Sequence, residues 1–170
     1  MILHFVDTPR LGSRLIRAFD SAPASHVGVE STLLPGVIVD STWSHGGVRA
    51  WSKAEWHSLD DRRPILSFDI PLVDESAANA FAQAQLHKGY DYSAIFGIAL
   101  LRDWQDDARW YCSELAIAAC MAGGRTMATR RSEIGLRLAV ELAQAWCHTA
   151  HDWRTATTRA NPPNPQNPAA

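Results

Sequence analysis

The chain has little cysteine, no long hydrophobic run and no excess of charge of either sign. Its 170 residues include three cysteines, Cys112, Cys120 and Cys147. An odd, sparse set is a poor disulfide framework. There is no C-x-x-C pair and no H-E-x-x-H; Cys147 and His151 lie one helical turn apart without convincing partners, so no metal is expected. The longest apolar stretch, Ile95 to Leu101, is far short of the roughly 20 residues that span a bilayer. Met1 to Val6 is broken by His4 and lacks a basic n-region, so it reads as a strand and not a signal peptide. The expectation is a chain with no transmembrane segment, made in a reducing cytoplasm. Lys plus Arg is 16 and Asp plus Glu is 18, a formal net charge of −2. That balance excludes a strongly basic nucleic-acid binder. Gly46-Gly47 and Gly123-Gly124 lack the context of a phosphate-binding loop, so no nucleotide cofactor is expected. Oligomeric state has no signature here.

What the chain does have is enough apolar surface, 46% of residues, for one sizeable core. One domain over 1–150 is expected, followed by a Pro/Asn-rich tail over 151–170 with no apolar periodicity. Ile2 to Val6 reads as a strand, and Ser13 to Phe19 as a short helix with Leu15, Ile16 and Phe19 on one side. Ser25 to Glu30 alternates in period two, and Val37 to Thr42 is a β-branched strand, the pair forming a hairpin across Leu34-Pro-Gly36. A polar stretch through Arg63 precedes a strand from Ile65 to Ile70. Asp74 is placed to cap a helix from Glu75 to Lys88 that ends at Gly89. Further helices are expected over Ile95–Leu101, Cys112–Met121 and about Ser132–His148, with an acidic loop at Asp103, Asp106 and Asp107. The seven tryptophans read as packing residues. This order predicts an α+β fold with an antiparallel sheet or small barrel packed against helices.

Three residues stand out chemically. Cys112 opens an apolar helix, where the positive end of the dipole favours a thiolate; a small buried hydrophobe is the alternative reading. His26 lies on a strand with Gly28 two residues on, on the same face, so another element can approach the imidazole closely. Glu30 shares that face near the turn and reads as solvated. Asp40 sits among β-branched neighbours, where an unpaired carboxylate is costly and imidazole Nδ1–H is a natural donor. A hairpin loop centred near Leu33 sets His26 opposite Asp40, whereas a two-residue turn at Pro35-Gly36 sets His26 opposite His45. The longer loop is favoured, because it orients a base.

Ser25-His-Val-Gly-Val29, Val37-Ile-Val-Asp-Ser-Thr42 with Gly47-Val-Arg49, Gly89-Tyr-Asp91 and Tyr111-Cys-Ser-Glu-Leu115 together resemble a known family. It is the circularly permuted papain-like cysteine hydrolases (the YiiX/YebB-like group), relatives of the NlpC-type cell-wall peptidases. The resemblance runs from Ile2 to about Gly124 and rests on the order and spacing of the motifs. It implies a permuted papain-like fold, with Cys112 as nucleophile, His26 as general base and Asp40 as the residue orienting it. Many relatives carry Glu at the Asp40 position. Tyr90 and Tyr111 are implied as support near the active site. The implied activity is that of a cysteine peptidase or amidase without metal or cofactor, acting through an acyl-enzyme on a peptide or peptidoglycan stem. The alternatives are a lipid acyl hydrolase or acyltransferase using the same triad, and a non-catalytic interaction protein on the same scaffold. A wall substrate implies export by lysis, phage or a secretion apparatus.

Overall fold

The computed structural model describes residues 1–9, 11–92, 108–126 and 134–147, with the side chains of 11, 12, 15, 16 and 19 left aside. The period-two segments become strands β1 (Ile2–Asp7), β2 (His26–Glu30), β3 (Val37–Thr42), β4 (Gly47–Ser52) and β5 (Arg63–Asp69). They pair antiparallel in the order β4-β3-β2-β1-β5. Of the two expected forms the antiparallel sheet is the one found: among the described residues it is open, with β4 and β5 as its edges, and no closed barrel forms. Helices α1 (Leu11–Asp20), α2 (Lys53–Ser58), α3 (Glu75–Ala84) and α4 (Cys112–Ala122) accompany it, and residues 136–147 form helix α5. Two short strands, β6 (Gly89–Tyr90) and β7 (Arg109–Trp110), pair in parallel. The architecture is α+β.

Strand alternation divides the burial between two faces. Leu3, Phe5, Val27, Val29, Val39 and Val48 point to one side and pack on α3, α4 and α5. Val6 and Ile38 point to the other and lie under Trp56 of α2, with Trp51 alongside. Each large apolar side chain so buried contributes about 1.5–3 kcal/mol before entropy is subtracted. His4, His26, Glu30 and Asp40 are interleaved with Val6 and Ile38, and all four are buried.

Several expectations change here. The polar stretch before Arg63 contains α2, held at its start by Ser52, whose hydroxyl accepts from the Glu55 N–H while the Glu55 carboxylate accepts from the Ser52 N–H. Asp74 caps α3 as expected, accepting from the Ala77 N–H at 2.9 Å. That helix stops at Ala84, however, and the turn is made by His87 at φ +70, so Gly89 begins β6 instead of ending the helix. Glu30 is buried, not solvated. The expected Ile95–Leu101 helix, the acidic loop, the tail over 151–170, the 150/151 boundary and the apolar stripe of α1 lie outside the described residues and side chains. Among the described residues, no helix is long and apolar enough to cross a membrane.

Candidate active site

The hairpin pairs Val29 with Val39 and Glu30 with Ile38. This register centres the loop on Leu34, one residue beyond the expected Leu33. Continued along the strands, it sets Gly28 opposite Asp40 and His26 opposite Thr42. His26 and Asp40 are therefore diagonal neighbours on one face, within reach of each other. His26 Nε2 lies 2.7 Å from Asp40 Oδ2. The contact is made through Nε2, where the sequence reading had expected Nδ1. Because an ionised carboxylate only accepts, Nε2 carries the hydrogen and Nδ1 keeps the lone pair that can take a proton.

Asp40 is 1% exposed and its oxygens are well supplied with donors. Oδ2 also accepts from Thr42 Oγ1 at 2.8 Å, Trp56 Nε1 at 2.7 Å and an Arg62 guanidinium nitrogen at 2.9 Å. Oδ1 accepts from Trp51 Nε1 at 3.0 Å. Burial by itself would raise its pKa, but the His26 bond, the Arg62 charge and the Thr42 bond hold it well below the usual carboxylate range. His26 moves in the same direction for a different reason. Burial lowers its pKa below the ordinary 6.5, the Asp40 bond opposes this, and the Arg62 charge adds to the lowering. The resting pair is a carboxylate beside a neutral imidazole.

Gly28 makes this arrangement possible. A Cβ there would stand 2.6 Å from Ile38 Cγ2 and 2.8 Å from Trp56 Cζ2. The element that the missing side chain admits is thus the Trp56 indole, whose ring lies 6.1 Å from that of His26.

Cys112 is the first residue of α4, which packs on the Val27 side of the sheet. Cys112 is 2% exposed. Burial pushes its pKa up to about 12; N–H bonds from Val27, Ser113 and its own backbone favour the thiolate but are outweighed, and the Asp40 charge adds to the rise. The structure joins His26 directly to Asp40 and brings Cys112 to the amide of Val27, the next residue after His26. Among the described residues no hydrogen bond joins the thiol to the imidazole. Tyr90 and Tyr111 lie against each other with ring centroids 6.0 Å apart, and burial first, then the neighbouring Cys112, pushes both phenols well above their ordinary value. The Tyr111 N–H donates to Glu114 Oε2 at 3.1 Å, which fixes the start of α4.

A cavity of about 320 Å³ opens onto His26, Thr42, Trp43, Arg62, Asp60 and Tyr90, with Thr8, Ser13, Ser25 and Ser44 completing a wall of mixed polar and aromatic character. Among the described residues none of its lining side chains is aliphatic, and Cys112 is not in the lining.

No family model and no curated protein matches this chain.

The sequence reading missed Trp51, Trp56 and Arg62, which complete the Asp40 environment. It also missed a second histidine–carboxylate pair on the same face. His4 Nε2 lies 2.6 Å from Glu30 Oε2, and His4 Nδ1 lies 3.0 Å from Ser67 Oγ. Lys53 Nζ and the Gly36 N–H donate to the same Glu30 carboxylate. Burial would raise the pKa of Glu30, but Lys53, Gly36 and His4 bring it down to about 2. The signal for this pair was the shared parity of His4 and Glu30 on adjacent strands. Among the described residues no group of three or more His, Cys, Asp and Glu side chains is placed to hold a metal ion.

Proposed function

We propose that this chain is a cysteine hydrolase that cleaves an amide bond in a peptide or peptidoglycan stem, on a permuted papain-like (NlpC-type) arrangement. The observation that carries this reading is the buried His26–Asp40 bond, which fixes the Nε2–H tautomer, together with the bond from the Val27 amide, next in the chain after His26, to Cys112 at the start of α4. The roles follow from the chemistry of each group. Cys112 is the nucleophile, His26 the general base and Asp40 the residue that orients it, with Tyr90 and Tyr111 packing around the thiol.

The protonation states define the sequence of steps. With the thiol pushed up to about 12 and the imidazole neutral, the resting dyad is thiol and imidazole, not thiolate and imidazolium. As Sγ bonds to the carbonyl carbon, its proton passes to His26 Nδ1. Backbone N–H groups at the start of α4 stabilise the oxyanion. The amine departs with the proton from His26, leaving a thioester. Water then gives its proton to His26 and attacks, and the thiol is restored as the carboxylic acid product leaves.

The hydroxyl and charged groups of the cavity wall can hydrogen-bond a peptide-like acyl group. In this reading the enzyme is made in the cytoplasm and reaches a wall substrate by lysis, phage or a secretion apparatus. Turnover of muropeptides and of acylated lipids by the wild type, Cys112→Ala and His26→Ala tests it. Muropeptide cleavage is expected, with a loss of about 10⁴-fold or more in either variant. Cleavage that survives Cys112→Ala overturns the nucleophile assignment, and turnover of the lipids alone overturns the amide substrate.

A further inference from the structure

The Arg62 guanidinium is buried beside the base, and stability alone does not account for it. One guanidinium nitrogen donates to Asp40 Oδ2 at 2.9 Å and the other to Thr42 Oγ1 at 3.3 Å. Its Cζ stands 4.7 Å from the centroid of the Trp56 ring. The side chain is 1% exposed, yet among the described residues its Nε has no hydrogen-bond partner. Burying an ion pair costs desolvation that often equals its Coulombic gain, and an unmatched Nε adds to the cost. A well-packed apolar side chain would stabilise the sheet face as well or better.

What Arg62 does achieve is electrostatic. In an ordinary histidine–carboxylate pair the carboxylate both orients the ring and draws a proton onto it. Here the same oxygen, Oδ2, is shared by His26 and a cation that stays protonated at every accessible pH. We propose that Arg62 is a positioning residue acting through Asp40: it cancels the carboxylate charge, so Asp40 fixes the ring's tautomer and orientation without converting it to imidazolium. This deepens the hydrolase reading and rests on it for the word "base". The other titratable or charged groups around the imidazole are Asp40 from β3, Asp60 from the segment after α2, Tyr90 from β6 and Cys112 beside the Val27 amide. Of the groups named, only Arg62 both carries positive charge and bonds Asp40.

Titration of the His26 ring by NMR in the full chain tests this. Arg62→Gln removes the cation, and the His26 midpoint is expected to rise by about one pH unit or more. Arg62→Lys keeps the charge, and its midpoint is expected to stay near that of the wild type. An unmoved midpoint in Arg62→Gln, or an equal rise in Arg62→Lys, overturns the proposal; a purely structural role would move folding stability and not the midpoint. If Arg62→Gln does not fold, the double variant Asp40→Asn/Arg62→Gln removes both charges together. Its His26 midpoint is expected to match that of the wild type, and a midpoint well above or well below it overturns the proposal. Because the ring titrates whether or not Cys112 reacts, an inert Cys112 with a shifting His26 retires the hydrolase and leaves this inference standing.

Discussion

Asp40 is a charge taken out of water and then surrounded by donors from every side. His26, Thr42, Trp51, Trp56 and Arg62 all bond its two oxygens. The carboxylate is therefore both the orienting group of the proposed base and the acceptor on which this sheet face closes. Asp40→Ala deletes the acceptor and leaves a buried guanidinium without its counter-ion. The expected loss is about 3–5 kcal/mol of unfolding free energy, measured by urea denaturation. A loss under 1 kcal/mol would mean that water enters and replaces the carboxylate. His26 and Asp40 were legible as neighbours only through the favoured longer loop, because the two-residue turn would have set them on opposite faces, and Cys112 entered through the order of the motifs. Arg62 was not legible: it lies inside the charged run Asp60-Asp61-Arg62-Arg63, and nothing in that run marks which charge turns inward.

Between elements, the decisive fit is β2 against α2. Helix α2 has six residues and one buried side chain, Trp56, so it carries no periodicity to read from sequence. Its position is set by the Ser52–Glu55 cap and by the notch at Gly28. That notch was legible as a close approach; its occupant was not, because the placement of Trp56 depends on the short helix that starts directly at the end of β4. The hairpin register differed by one residue in loop centre, since Glu30 reaches back to accept from the Gly36 N–H and so holds the turn. Such a side-chain bond has no signature in hydrophobic pattern. Gly28→Ala tests the notch. Its Cβ would overlap Trp56 Cζ2 and Ile38 Cγ2, so a destabilisation of about 1–3 kcal/mol is expected. The displaced indole should also lose its bond to Asp40, read as an upfield shift of the Trp56 Nε1 proton in the NMR spectrum. An unchanged indole resonance would show that the sheet moves instead of the helix.

Across the molecule, two histidine–carboxylate pairs share one sheet face, His26 with Asp40 and His4 with Glu30. Their titrations all act in one direction. Burial lowers His4 and His26 from 6.5, so below pH 6.5 the unfolded chain binds protons that the folded chain refuses. Stability from these two groups is complete above pH 6.5 and is lost as pH falls toward their folded values. The carboxylates continue the trend: Glu30, down to about 2 from 4.5, and Asp40, also lowered, contribute fully above the ordinary carboxylate range and lose that contribution as pH falls through it. The melting temperature is therefore expected to begin falling near pH 6.5, about two units above the point at which carboxylates alone would act. Calorimetry from pH 8 to pH 3 checks this. In Glu30→Gln the low-pH slope should flatten, while the slope between pH 6.5 and 5, which belongs to the histidines, should remain. A melting temperature that is level down to pH 5 in the wild type would show that neither imidazole is held neutral by the fold, and would remove the physical basis for a resting thiol–imidazole pair.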